Sequence, residues 1–324
     1  MASTKRAKAK ENGVAHVRNS ESSRSLLAER RVAEALRRRG WKVAHGAYYT
    51  DPVTGKSREL DVTASRSWTK ATRRTELGAA LHLLVECKSM RGNQLLFAPR
   101  TDPDFGDRCY YFWPGLDDDP LRERIRALLA EAQMPAPAVE RVMIKLEQLA
   151  YPRGKALIFD LVADAPAAPQ RATAYRESRG AEARELRDDE ASVLWRAIQT
   201  VFGAVTGIAQ SLLEGTMQQL RDDLTIASRW GDDMSEYALE VLDGVISTVV
   251  LFHPVVVTDA RLFTLEGEEP VEIPWCRVDQ ERIATYEHRW IDVVNSAAFD
   301  EYAEAVTKWY TRAMQKKKAE PRKR

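Results

Sequence analysis

The chain is expected to be a mixed α/β protein: a helix, then a central mixed sheet flanked by helices, with a large, mainly helical insertion at about 90–185. Three stretches predict this. "SSRSLLAERRVAEALRRRG" (22–40) spaces apolar residues as a helix does, between a serine cap and Gly40. "RELDVTASR" (58–66) alternates strictly, with Leu60, Val62 and Ala64 on one side and Glu59, Asp61 and Thr63 on the other. "ALHLLVECKS" (80–89) is apolar on both faces before it ends in charge, as strands inside a sheet are.

The elements follow in order. Residues 1–20 and 316–324 are basic and poor in apolar side chains, so they are expected as disordered tails around a single domain, 21–315. After the first helix, "WKVAHGAYYT" predicts a strand, "DPVTGKS" a turn, and "RELDVTASR" a second strand. A polar insertion around 66–78 leads to the third strand. Helical segments are expected near 121–132 and 138–150, and "KALIFDLVA" (155–163) predicts a short strand. A long helix is expected from near Glu182 to about Leu213, and more helix over 215–242. "STVVLFHPVVVTDARLFTLEG" predicts a strand pair, whose first member Pro254 should place at an edge or break. "HRWIDVVNSA" predicts a strand, and 297–315 a closing helix.

Composition narrows the function only slightly. A net charge of +1 over 324 residues gives no global pull on an anionic partner. The three cysteines, Cys87, Cys109 and Cys276, are widely spaced and match neither a disulfide framework nor a zinc site. They fit a reducing cytoplasm, and no apolar run is long enough for a bilayer, so a cytoplasmic protein without membrane contact is expected.

The chemistry gathers on the second and third strands. Side chains alternate along a strand, so Glu86 and Lys88 share one face while Val85 and Cys87 share the other. If the two strands pair, Asp61 sits beside Glu86. Two adjacent carboxylates repel unless one is protonated or a cation neutralises them, and a hard oxygen-ligand cation such as Mg²⁺ is the usual resolution. Lys88 would point at the same place, to hold a water or stabilise a phosphate. On the first helix, Leu26, Val32, Ala33 and Leu36 form an apolar stripe with Glu29 in its middle. A carboxylate there needs a partner or a ligand, which makes Glu29 a fourth candidate for the site.

A helix with Glu29 in "LLAERR", a hairpin with Asp61 in "RELDVTA" and a strand with Glu86 and Lys88 in "LVECKS" together resemble the PD-(D/E)xK, or restriction-endonuclease-like, nuclease superfamily. The resemblance covers residues 22–90 and extends loosely to a later helix and to "VVLFHPVVVTDA". Leu60 stands where many members carry proline before the aspartate. The resemblance implies a metal-dependent endonuclease acting on DNA. In it Asp61 and Glu86 bind Mg²⁺ (Mn²⁺ as substitute), the backbone carbonyl of Val85 or Cys87 adds an oxygen, Glu29 supports the metal, and Lys88 assists the attacking water. By analogy it also implies a place in bacterial restriction or anti-phage defence, a homodimer, or a partner protein within such a system.

Other readings stay open at this point. One is a protein of the same fold that binds nucleic acid or a partner without cutting it. Another is a nuclease whose substrate is RNA. A third is a helical scaffold over 120–245 with a coincidental motif. The arginines of the first helix, Arg30, Arg31, Arg37, Arg38 and Arg39, read mainly as a solvated face, and His45 as a rim residue.

Overall fold

A computed structural model describes residues 20–71, 76–100, 110–112, 119–148, 170–179, 184–185, 192–227, 234–246, 248–279 and 290–315. The expected tails and the strand expected at "KALIFDLVA" lie outside these residues. Among them are six helices: α1 (Glu21–Arg38), α2 (Asp119–Glu131), α3 (136–148), α4 (Val193–Ala227), α5 (Met234–Ile246) and α6 (Phe299–Gln315).

The strands are β1 (Lys42–Thr50), β2 (Ser57–Ala71), β3 (Glu76–Lys88), β4 (Asn93–Pro99), β5 (Tyr110–Phe112), β6 (Arg171–Arg179), β7 (Arg184–Glu185), β8 (Thr248–Thr258), β9 (Arg261–Glu266), β10 (Glu269–Glu272), β11 (Trp275–Asp279) and β12 (Trp290–Asn295). All belong to one mixed sheet, in the order β1-β2-β3-β8-β12-β11-β6-β4-β9-β10, with β5 beside β8 and β7 beside β6.

The opening follows the sequence closely. Ser20 caps α1 by accepting the Ser23 N–H at 3.2 Å, and Gly40, at φ +79°, turns the chain out of it. β1, β2 and β3 then form an antiparallel meander. The polar residues 66–78 lie mostly on the β2–β3 hairpin arms, with Arg66 opposite Leu81 and Ala71 opposite Glu76, rather than in a separate insertion.

Later parts correct several expectations. The described residues of 90–185 carry two helices but also β4 to β7, so this region builds sheet as well as helix. α4 starts at Val193, later than expected, and runs on to Ala227. β8 is neither an edge nor broken. It lies between β3, parallel along its full length, and a flank shared by β5 and β12. That flank changes partner at Pro254: β5 is registered with 250–252 and β12 with 255–258. Among the described residues Pro254 has no registered neighbour on that flank, which fits a proline in a central strand.

The sheet rolls, and chain length requires it. Only Asp259 and Ala260 separate β8 from β9, yet β9 is five ladder positions away. On a flat sheet that is about 24 Å, whereas three Cα steps reach at most about 11 Å. The four-residue link from β3 to β4 faces the same problem. β4 and β9 are therefore β3 and β8 carried around a corner, and they pair in parallel again beyond it. Asp259 stitches the bend: it accepts the Ser89 hydroxyl at 3.0 Å and the Met90 N–H.

Two cores result. Leu83, Val85, Cys87, Val255 and Val257 face α1 and α6. Leu84 and Val256 face the inside of the bend, with Leu95, Phe97, Leu262 and the first half of α4.

Candidate functional site

The site forms where β2 and β3 reach the bend. The last registered pair is Val62 opposite Val85, and one antiparallel step further brings Asp61 alongside Glu86. Residues 84, 86 and 88 share a face, as expected. Because Leu84 and Val256 on that face lie in the inner core, Glu86 is carried into the protein and is only 3% exposed.

The polar contacts are few. Asp61 Oδ2 accepts the Cys87 N–H at 2.6 Å. Lys88 Nζ lies 2.6 Å from Glu86 Oε1. Glu86 Oε2 is buried with no hydrogen-bond partner among the described residues. The Cys87 carbonyl, an expected oxygen donor, accepts the Ser25 hydroxyl of α1 at 3.0 Å. The thiols of Cys87 and Cys276 are free and buried.

Electrostatics mark this as a site short of positive charge. Burial, then the neighbouring Asp61 charge, pushes Glu86 up to about 7; the Lys88 charge and hydrogen bond and the Asp61 N–H only partly oppose this. Burial also raises Asp61, against the Cys87 N–H and the Lys88 charge. Burial alone would lower Lys88, but the Glu86 charge and hydrogen bond outweigh it and raise the group. Burial and Asp61 raise Glu29.

Glu29 stands differently from the other three. α1 packs on the opposite core, through Val32 and Leu36, and its first turns lie over the end of β3, where Arg24 Nε donates to the Ser89 hydroxyl at 3.0 Å. Leu26 is 64% exposed, so it is not part of the buried stripe. The inward residues of those turns are Ser25, Ala28 and Glu29, all half-buried, because strand ends rather than apolar core lie beneath them. The charges acting on Glu29 are those of Asp61, Glu59 and Lys88, so it reaches the site by way of Asp61.

Among the described residues, no three His, Cys, Asp or Glu side chains converge at the spacing of ligands to one metal ion. The structure thus brings Asp61, Glu86 and Lys88 together and leaves Glu29 at their margin. Lys88 already occupies one Glu86 oxygen, and Asp61 is turned onto a backbone N–H.

Sequence reasoning missed two carboxylates. Glu59 is exposed two residues before Asp61 on β2, and its charge raises both Asp61 and Glu29. Its place in the alternation was the available signal. Gly46 makes room for it: a Cβ there would lie 2.5 Å from Glu59 Oε1. Asp259 was signalled only by its position directly after an apolar strand. The arginines of α1 are largely engaged, Arg30 with Glu34, and Arg38 and Arg39 with Asp300. His45 is an exposed rim residue.

No helix among the described residues is long and apolar enough to cross a membrane. Comparisons with family models, with curated proteins and with solved structures find no match for this chain.

Proposed function

We propose that this chain is a divalent-metal-dependent nuclease of the PD-(D/E)xK type, hydrolysing DNA phosphodiester bonds at Asp61, Glu86 and Lys88. One observation carries the reading. Glu86 is a buried carboxylate beside a second carboxylate; among the described residues one of its oxygens has no hydrogen-bond partner and Lys88 is the cation that acts on it. A buried, under-compensated anion of hard oxygens fits Mg²⁺ or Mn²⁺.

Asp61 and Glu86 would hold the ion, with the Cys87 carbonyl close by. The ion would supply charge neutralisation at the phosphate and make a water more acidic. Lys88 would leave Glu86 to donate a hydrogen bond to the charge growing on the phosphoryl oxygens. The Cys87 N–H fixes the Asp61 carboxylate, so that it meets the ion already oriented. The water oxygen bonds to phosphorus as the bond to the leaving sugar oxygen breaks. One of its protons ends on that oxygen and the other is lost to solvent. Glu29 and Glu59 would add negative potential from the rim.

A panel of linear, circular, methylated and single-stranded DNA, with RNA alongside, tests the reading with and without Mg²⁺ or Mn²⁺. Metal-dependent cleavage is expected, and Asp61→Ala, Glu86→Ala and Lys88→Ala should each abolish it while circular dichroism stays unchanged. Full activity in any of these variants defeats the assignment.

A second reading, a nucleic-acid or protein binder that does not cut, is favoured by the close Lys88–Glu86 pair and by the lack of three converging ligands among the described residues. It predicts retention of DNA with no cleavage under any metal condition.

A further inference from the structure

Glu86 is buried and Lys88 is partly exposed. The Glu86 side chain is 5% exposed, whereas that of Lys88 is 36% exposed, although the two lie on the same strand face. The ammonium sits on Oε1, and Oε2 is buried with no partner among the described residues. Asp61 turns its Oδ2 to the Cys87 N–H instead. The site therefore already contains one unit of positive charge, on a stem that can move into solvent.

We infer that Lys88 sets the ion selectivity of this site: its ammonium fills the place a monovalent cation would take, and it yields only to a divalent one. The inference rests on the proposed reading that a cation binds at Asp61 and Glu86. Replacing the ammonium by Na⁺ or K⁺ leaves the charge beside Glu86 unchanged and loses a charge-assisted hydrogen bond. Replacing it by a divalent ion adds one unit of charge where two carboxylates meet and releases the ammonium toward the substrate side. With Lys88 in place, monovalent salt is therefore a poor competitor. Without it, the empty place beside Oε1 is open to any small cation.

Mn²⁺ binding to the purified full-length chain tests this, read from the electron paramagnetic resonance of free Mn²⁺ and repeated with K⁺ exchanged for a bulky quaternary ammonium salt at equal ionic strength. For the wild type, Mn²⁺ affinity should be nearly the same in both salts. Lys88→Met should bind Mn²⁺ at least about tenfold more tightly in the bulky salt, since a like charge has been removed, and should lose part of that gain in K⁺. Lys88→Arg should keep the wild-type pattern, and Lys88→Gln replaces Lys88→Met if the latter fails to fold. Unchanged or weaker Mn²⁺ binding in Lys88→Met, or indifference of that variant to K⁺, overturns the inference while leaving the proposed metal site standing. Absence of Mn²⁺ binding in the wild type and all variants overturns the metal site itself.

Discussion

Glu86 is the residue on which the site's chemistry and its cost to the fold meet. Its carboxyl titrates near 7 in the folded chain, against an ordinary value of 4.5. The folded state thus holds a proton that the unfolded chain has already released across that window. Stability of the metal-free protein should therefore rise as the pH falls from about 7 toward 4.5, and should be lower above it, by at most about 3 kcal/mol. Urea denaturation at about pH 5 and about pH 8 measures the slope, and Glu86→Gln should flatten it. The residues on the site's face were legible because strand alternation has a strict period: Asp61, Glu86 and Lys88 sit together as the spacing requires. Asp259 was not legible. Its partners, Ser89 and Met90, follow β3, whose pairing with β8 no local pattern announces.

At the scale of elements, the meander β1-β2-β3 and helices α1 and α6 could be read from periodicity and caps, since their signals are local. The errors share a cause: strands and helices whose placement depends on partners far away in sequence. Pro254 reads as an edge signal until the neighbouring strands are known to change over at that residue. Gly207 is a similar case. It stands mid-helix in α4, where alanine would normally favour the helix by up to about 1 kcal/mol. Here, however, an added Cβ would lie 2.3 Å from the Thr50 carbonyl oxygen and 3.0 Å from the Tyr49 ring. Gly207→Ala should therefore destabilise the protein, by about 1–3 kcal/mol, with thermal unfolding as the readout. A neutral or stabilising result would mean that α4 does not approach the end of β1 so closely.

Across the whole molecule, the mixed α/β class was legible and the rolled sheet was not, because rolling is set by which strands become neighbours. The layer opposite the carboxylates is fastened by a buried polar cluster. Arg277 clasps Asp292 with two hydrogen bonds of 2.8 and 2.9 Å, and His253 and Tyr302 also reach Asp292 Oδ2. Burial alone would raise Asp292, but the Arg277 charge and the His253 contacts outweigh it and hold the group well below the carboxylate range. The cluster ties β8, β11 and β12 to α6. Asp292→Ala leaves a buried guanidinium without its counterion and should cost about 3–5 kcal/mol, measured by urea unfolding with Asp61, Glu86 and Lys88 untouched.

The corner between β3 and β8 also bears on the chain's history during synthesis. Ser89 and Asp259, which close it, are 170 residues apart. Pairing at that separation carries a large loop-closure entropy and tends to come late in folding. A ribosome that has released the β1-β2-β3 meander has exposed Asp61, Glu86 and Lys88, but not the strand that buries Glu86. The site matures only once β8 has emerged and found β3. On the proposed metal reading, nascent chains stalled before β8 should carry the motif without metal affinity, and that affinity should appear abruptly with length rather than grow in proportion to it.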